Sequence, residues 1–141
     1  MSNNPFRFST RVEVRWRDLD ALNHVNNAVY FTYLEQARVH YMRKLEIVPE
    51  TPSGIGFILA EAQCQFKSPL TLGECVTVYI RVSELRNSSF VFEYRMEGED
   101  QRLAAEAWSI QVCYDYENKH PIPIPDRWRE AIISFEPGLS P

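Results

Sequence analysis

Hydrophobic and polar residues alternate near the start of the chain. Over residues 11–17, Val12, Val14 and Trp16 take every second position, and charged residues take the positions between them. A period of two residues is typical of a strand with one buried face and one face toward solvent. We therefore predict a half-buried antiparallel strand over 11–17, with Trp16 on the core side.

The period changes to that of a helix between Asn27 and about Leu45. Apolar residues recur there at helical spacing, as at Tyr30, Tyr33, Ala37 and Tyr41. Further apolar residues fall on its other faces, which predicts a helix buried over most of its circumference. Asn26 or Asn27 is the expected N-cap. Glu35 and Arg38 lie one turn apart, and we expect them to pair.

Four strand-like segments follow the helix. They cover residues 55–67, 75–85, 90–96 and 104–116, with short turns between them and Gly73 as a turn pivot. In the first segment, alternation places one set of residues on a common face: Ile58, Ala60, Ala62, Cys64 and Phe66. Residues 120–125 contain three prolines and are expected to be extended. Asp126 is expected to cap a short helix that reaches Ile133.

The order of the elements restricts the architecture. Short turns between strands imply antiparallel neighbours. One helix then has to cover one face of one sheet, so the class is α+β. We predict a five-stranded antiparallel sheet that curls around one long central helix. The long last strand is expected at the edge of the sheet, where it would pair with a second copy.

Composition narrows the classes of function. The chain has 141 residues, which suits one domain, and its 18 aromatic residues suit a thick strand-rich core. A net charge of −4 argues against nucleic acid as a partner. The cysteines Cys64, Cys75 and Cys113 form no metal-binding or disulfide pattern. With no leader-like or membrane-spanning apolar run, we expect a cytoplasmic protein without a membrane partner.

Chemical groups are densest in the segment 18–27, between the first strand and the helix. Asp18, Asp20 and His24 lie there beside three asparagines. Unpaired N–H groups at a helix N-terminus stabilise a developing oxyanion, and a nearby carboxylate can attack a carbonyl or activate water. The same residue types also serve as caps and turn formers. A metal site formed by Asp18, Asp20 and His24 is a third possibility.

This segment resembles a known family signature. Residues 16–30 read WRDLDALNHVNNAVY and residues 33–38 read YLEQAR, and FKSPLTLGE follows at 66–74. Together they resemble the hotdog-fold acyl-CoA thioesterases, and more narrowly the 4-hydroxybenzoyl-CoA thioesterase-like family. The resemblance spans about residues 7–125 of a single domain, 1–141, whose residues 118–141 form a C-terminal extension. It implies hydrolysis of acyl-CoA to a free acid and coenzyme A.

The resemblance also implies roles for residues of this chain. Asp20 becomes the nucleophile or general base, and the helix N-terminal amide near Asn27 polarises the thioester carbonyl. His24 would orient Asp20, a water or the substrate, whereas Asp18 is expected to fix the loop. Asn23 replaces the glycine of many relatives, and asparagine tolerates the left-handed conformation that glycine adopts there. No metal and no organic cofactor are expected.

Candidate substrate-binding residues lie both in this segment and elsewhere in the chain. They are Asn26, Tyr30, Glu61, Arg86, Ser88 and Ser89, the last three in a segment that binds phosphate in some relatives. The alternatives to an acyl-CoA thioesterase are an acyl-carrier-protein thioesterase and a non-catalytic acyl-CoA-binding module. One hotdog unit supplies only part of an active site in this family, so we expect a homodimer or a homotetramer built from two dimers.

Overall fold

The computed structural model describes residues 4–47 and 54–139. It contains six strands and two helices, joined by short turns that include 3-10 turns at Trp16–Asp18 and Glu99–Gln101. The strands are β1 (Phe8–Glu13), β2 (Ile55–Phe66), β3 (Cys75–Leu85), β4 (Ser89–Glu97), β5 (Leu103–Asp115) and β6 (His120–Pro121). The helices are α1 (Asn27–Lys44) and α2 (Asp126–Phe135).

One antiparallel sheet carries all six strands. Its order is β1-β3-β4-β5-β2, and the short β6 pairs with β5. The long helix α1 packs on one face, where aromatic rings from both sides fill the core. Among the fully buried side chains are Tyr33, Tyr41, Phe90, Phe92 and Tyr94. The predicted α+β class, with a sheet around one long helix, is confirmed, and the extra strand and α2 add to it.

The edge of the sheet differs from the prediction. Strand β5 lies between β4 and β2, so it is an interior strand, and β2 is the edge next to it. Sequence alternation shows that a strand is half-buried but not which strands are its neighbours, because pairing is a long-range property. The two exposed edges of the sheet are therefore β1 and β2.

Helix α1 is buried on only one face. Phe31 and Val39 remain more than a third exposed, and so do Leu59 and Phe66 on β2. The prediction that α1 is buried over most of its circumference was therefore wrong for a single copy of the chain. The open face of α1 and the edge strand β2 together form a continuous partly apolar surface, which we call the α1–β2 face.

A β-bulge interrupts β2 at Ala60. Leu59 pairs with Gln111 of β5, whereas Glu61 pairs with the preceding residue, Ile110, so Ala60 has no opposite partner. An extra residue reverses the alternation of faces along the strand. Leu59 therefore faces α1 before the bulge and Ala62 faces it afterwards, and the predicted common face from Ile58 to Phe66 was wrong for Ile58.

The first strand is shorter than predicted and begins earlier. It ends at Glu13, and the chain then turns through Trp16–Asp18. Val12 and Val14 are buried as expected, but Trp16 is 80% exposed. The alternating pattern therefore continues for four residues past the end of the strand. The strand ends before the pattern does because the Asp18 carboxylate folds back and accepts the Arg15 backbone N–H at 2.9 Å.

Helix α2 closes one end of the curled sheet. Trp128 and Ile132 are buried, and the Phe135 ring meets the Tyr41 ring near the C-terminal end of α1 at 5.8 Å. The Tyr41 hydroxyl also donates to the buried Glu136 carboxylate at 2.8 Å. The predicted terminal helix is confirmed, but Pro125 rather than Asp126 is its N-cap, and no side chain caps it. This helix marks the end of the molecule opposite the Asp20 segment. None of the helices in the described part of the chain is long and apolar enough to span a bilayer.

Candidate active site

The segment between β1 and α1 folds into a tight loop. A bridge between Leu19 and Val25 closes it, and the Asp20 N–H donates to the His24 carbonyl oxygen at 2.8 Å. Asn23 adopts a left-handed conformation with φ of 62°, as its match to a family glycine predicted. A second tie runs from the Val25 N–H to the Leu70 carbonyl oxygen, at 2.9 Å. The loop is thus held at its base and presents its tip to solvent.

The Asp20 side chain lies at the tip of this loop and is exposed. Its Oδ1 atom accepts hydrogen bonds from the Leu22 N–H at 2.8 Å and from the His24 N–H at 3.3 Å. Within the described residues Oδ2 accepts no hydrogen bond. The carboxylate is therefore oriented through one oxygen, and its other oxygen is available to a water or a substrate.

Asp18 has the opposite surroundings, with only 1% of its surface exposed. The Arg15 guanidinium donates to Oδ1 at 2.9 Å, and the Tyr33 hydroxyl donates to Oδ2 at 2.7 Å. Burial alone would raise the pKa of this carboxyl, but the hydrogen bonds from Arg15 and Tyr33 outweigh burial and hold the pKa below its usual range. Asp18 fixes the loop, as expected.

The N-terminus of α1 lies directly after the loop. Asn26 is its N-cap, and the Asn26 Oδ1 atom accepts the Ala28 N–H at 2.9 Å. The Asn26 N–H is itself bound to the Asp18 carbonyl oxygen. The Asn27 N–H, by contrast, has no acceptor in the part of the chain that the structure describes. It is an open donor at the positive end of the helix dipole.

His24 contributes its backbone rather than its ring to the loop. Its N–H and carbonyl oxygen both bind Asp20, whereas the exposed imidazole has no partner among residues 4–47 and 54–139. Asp18 is turned inward and Asp20 outward, so these carboxylates and His24 form no metal site. No group of three metal-ligating side chains occurs anywhere in those two ranges.

Tyr30 and the β2–β3 turn form the wall behind the helix N-terminus. The buried Tyr30 hydroxyl donates to the Ser68 carbonyl oxygen at 3.2 Å, and its ring meets Phe66 edge-on at 4.9 Å. Burial raises the pKa of the Tyr30 hydroxyl, so it stays protonated. Tyr30 therefore supports the wall by packing and by one hydrogen bond.

Glu74 organises the turn on which the loop rests. Its carboxylate accepts the Thr71 N–H at 2.7 Å, the Glu99 N–H at 3.1 Å and the Arg102 guanidinium at 2.8 Å. Burial opposes ionisation, but these bonds dominate and lower the pKa of Glu74 to about 2. Nothing in the sequence near Glu74 pointed to Arg102, because the partner lies on the following hairpin.

Arg38 does not form the predicted pair with Glu35. It is 8% exposed, and its Nη1 atom donates to the Tyr94 hydroxyl at 3.1 Å. That hydroxyl also bonds to Ser109 at 2.5 Å, and Ser109 bonds in turn to Gln111. The sequence showed Arg38 on a helix and Tyr94 on a strand but not that they meet, so it missed this buried polar network.

The other candidate residues lie away from Asp20 within one chain. Glu61 is exposed and follows the bulge on the face of the sheet that points away from α1. Arg86 lies in the β3–β4 turn, paired with Glu84 at 2.7 Å, and its carbonyl oxygen accepts from Arg129 of α2. Ser88 lies in the same turn, and Ser89 is the first residue of β4. This turn therefore lies at the α2 end of the molecule.

Comparison with known proteins places this architecture in a family. The model of the thioesterase-like superfamily matches residues 14–132. Long-chain acyl-CoA thioesterase FadM of Escherichia coli is 26% identical over 126 residues, 87% of this chain and 95% of that protein. The uncharacterized protein YsmA of Bacillus subtilis is 30% identical over 97 residues, 67% of this chain and 65% of that protein.

A solved structure agrees in fold and in sequence. A thioesterase from Thermus thermophilus, determined with coenzyme A and zinc, is 34% identical, with a TM-score of 0.82. The match covers 94% of this chain and 96% of that one. It confirms the predicted resemblance and the hotdog fold. Because the family model covers most of the chain, including the Asp20 loop, this protein belongs to the thioesterase-like superfamily.

Proposed function

We propose that this protein hydrolyses acyl-CoA thioesters to a free acid and coenzyme A. One observation carries the proposal: two reactive groups flank the N-terminus of α1, and neither has a hydrogen-bond partner among the described residues. They are the Oδ2 atom of Asp20 and the N–H of Asn27. The relatives named as acyl-CoA thioesterases support coenzyme A as the carrier.

The chemistry assigns one task to each group. The Asn27 N–H donates to the carbonyl oxygen of the thioester, where negative charge develops as the tetrahedral intermediate forms. Asp20 either removes a proton from a water that attacks the carbonyl carbon or attacks that carbon itself. The C–S bond then breaks, and the sulfur leaves as the coenzyme A thiolate and takes up a proton. In the general-base route, water supplies the oxygen of the free acid directly. In the covalent route, loss of the thiolate leaves an acyl-Asp20 anhydride, and water attacks its Asp20 carboxyl carbon, so the acid leaves with an Asp20 oxygen and Asp20 regains one from water.

A second copy of the chain completes the site in this proposal. Helix α1 has 18 residues, so its two ends are about 27 Å apart. Asp20 lies at its N-terminal end, and the turn carrying Arg86 lies at the α2 end. Arg86, Ser88 and Ser89 would bind the coenzyme A phosphates of a substrate held by the partner's Asp20, in a homodimer or in a homotetramer.

The remaining candidates retain smaller roles. Asn26 shapes the pocket by capping α1, and Tyr30 supports the wall that faces the acyl group. Glu61 lies on the outward face of β2, so a substrate contact from it belongs to a neighbouring copy. The α1–β2 face supplies the surface for pairing, because an exposed edge strand with apolar side chains favours association.

Thiol release from a panel of acyl-CoA esters tests the activity. We expect Asp20→Asn to lower kcat at least about 100-fold, since general base and nucleophilic groups contribute on that scale. Asp100→Asn is the matched control, because Asp100 is a likewise exposed aspartate in the Glu99–Gln101 turn. Equal slow rates for wild type and Asp20→Asn on every ester would refute the proposal.

Three further measurements separate the remaining possibilities. A single turnover in ¹⁸O-labelled water leaves label in the Asp20 carboxylate if Asp20 attacks the carbonyl, and only in the product acid if Asp20 activates water. Turnover of the same acyl group on acyl carrier protein identifies a carrier-protein thioesterase if it exceeds turnover on coenzyme A. Tight acyl-CoA binding without turnover identifies a binding module.

A further inference from the structure

We call the groove the part of the α1–β2 face that extends between α1 and β2 from the candidate site toward Arg38. At one end the Tyr30 and Phe66 rings meet, next to the N-terminus of α1. Along the middle of this part, β2 carries the small residues Ala62 and Cys64, which pair with the inward-facing Ser109 and Ala107. Small side chains opposite a helix leave room between the two elements.

The groove ends in a cavity of about 450 Å³. Its apolar walls are formed by Val39 and Met42 of α1 and by Phe57 and Leu59 of β2, and Arg38 also lines it. This volume is within the usual range for a small-molecule pocket, about 300–1,000 Å³. The cavity therefore has the size and the apolar walls that suit the distal part of an acyl chain.

The Arg38 guanidinium is the unusual component of this cavity. It is 8% exposed, yet no carboxylate of residues 4–47 and 54–139 lies within ion-pairing distance of it. Its one hydrogen bond, to the neutral Tyr94 hydroxyl at 3.1 Å, uses one of five N–H donors. A buried charge without a counter-charge is costly, so an anionic ligand would be favoured there.

The rim of the cavity does not offset this charge. Glu35 and Arg43 both line it and both are exposed, and their opposite charges balance each other.

The helix also fixes the distance between the two ends of the groove. Eleven helical residues separate Asn27 from Arg38, which corresponds to about 16 Å.

We propose that the groove binds the acyl group of the substrate and that Arg38 selects acyl chains that end in a second carboxylate. The substrate class is then the mono-coenzyme A thioesters of dicarboxylic acids. This inference rests on the proposed function, because hydrolysis near Asn27 places the thioester at the other end of the groove. Arg38 acts as a specificity determinant that contacts the distal carboxylate.

Matched pairs of thioesters test the preference directly. The pairs are hexanoyl and hexanedioyl, decanoyl and decanedioyl, and tetradecanoyl and tetradecanedioyl-CoA. We expect wild type to favour the dicarboxylic member by about 10-fold or more in kcat/KM in at least one pair, the scale of a hydrogen bond to a charged group. Equal kcat/KM values within every pair, or a preference for the monocarboxylic chains, would overturn the inference.

Variants assign the preference to Arg38. Arg38→Met is expected to abolish it, and Arg38→Lys to retain part of it, since lysine keeps the charge but loses the fork. Arg11→Met, an exposed arginine on the opposite edge strand β1, is the matched control and is expected to keep the ratio. Retention of the full ratio in Arg38→Met, or its loss in Arg11→Met, would contradict the assignment. If Arg38→Met does not fold, the wild-type ratio and Arg38→Lys decide.

Failure of the proposed function gives a different result. If no thioester is hydrolysed, the catalytic proposal fails, and calorimetric Kd values for the same pairs then measure the preference. A tighter Kd for the dicarboxylic member that is lost in Arg38→Lys and Arg38→Met supports the selection at Arg38. Equal Kd values within each pair refute it, as they would if a partner copy neutralised the guanidinium.

Discussion

Asp18 and Asp20 are two residues apart and have opposite surroundings. The side chain of Asp18 is enclosed by Arg15 and Tyr33, which satisfy both of its oxygens. Asp20 is held by backbone N–H groups through one oxygen and is otherwise open. The difference follows from the direction in which each side chain leaves the turn, and it separates a group that maintains the loop from one that is free to react.

Asparagine substitutions are expected to distinguish these two positions. Asp18→Asn should lower the free energy of unfolding by about 1–3 kcal/mol, because its bonds to Arg15 and Tyr33 lose their charge assistance. Asp20→Asn should change it by less than about 0.5 kcal/mol, because the exposed amide still accepts the same N–H groups. Urea denaturation of both variants measures the difference, and equal losses would contradict this interpretation.

The acid stability of the molecule depends partly on Glu74. Its pKa is lowered from the ordinary value of 4.5 to about 2, so its ionised form stabilises the folded state. That contribution is complete above pH 4.5 and is lost as the pH falls through about 2. We expect Glu74→Gln to cost up to about 3 kcal/mol at pH 7.

The difference between wild type and Glu74→Gln in urea denaturation should therefore narrow between pH 4.5 and pH 2. A gap that is constant over this range would show that the carboxylate gains nothing from its ionisation in the folded state. Glu106→Gln is a suitable control, because Glu106 is exposed and its side chain has no hydrogen bond or ion pair within the described ranges.

At the scale of elements, the side chain of Asn26 determines where α1 begins. Its oxygen accepts a backbone N–H of the first turn that has no acceptor within the helix. The cap satisfies the Ala28 N–H and leaves that of Asn27 open. The N-cap therefore both stabilises the start of the helix and leaves the Asn27 N–H available as a donor. The same residue joins the helix to the loop, because its own N–H binds the Asp18 carbonyl oxygen.

Removal of this cap should destabilise the protein. We expect Asn26→Ala to lower the free energy of unfolding by about 1 kcal/mol, and Asn26→Asp to restore most of it, since both asparagine and aspartate are good caps. Thermal and urea denaturation measure the effect. A loss that is as large in Asn26→Asp as in Asn26→Ala would mean that the side-chain amide, rather than the cap oxygen, is needed.

The helices and most strands could be predicted from the sequence because their periods are local. The sequence also indicated the left-handed Asn23 and the loop that carries Asp20. It did not predict the bulge at Ala60, the position of β5 inside the sheet or the partner of Arg38. Each of these depends on which strands become neighbours, and no repeating pattern of one segment encodes that.

For the whole molecule, the α1–β2 face is the surface on which we expect both association and substrate binding to depend. The α1–β2 face joins an unpaired strand edge to the exposed side of the central helix, and both expose apolar side chains. Association through this face would bring the Arg86 turn of one copy toward the loop of the other. The same face contains the groove that leads to Arg38, so oligomeric state and substrate choice are expected to depend on each other.

A charge on this face should separate the copies. We expect Val39→Glu to give a folded monomer in sedimentation velocity, whereas wild type sediments as a dimer or tetramer, because burial of a new charge at an interface is unfavourable. Leu72→Glu is the matched control, since Leu72 is similarly exposed but lies on the β2–β3 turn. Val39→Glu protein that sediments like wild type would exclude the α1–β2 face as the interface.

The bulge at Ala60 determines which changes in chain length β2 can accept. Because one extra residue separates two halves of β2 with opposite alternation, a deletion of Ala60 would turn one half over. Either Ala62 and Cys64 would point outward, with Glu61 and Gln63 turned against the helix, or the half before the bulge would reverse instead. We therefore expect the protein to tolerate a substitution at residue 60 but not to fold when residue 60 is deleted. The number of residues in β2, rather than the side chain at position 60, is what the fold requires here.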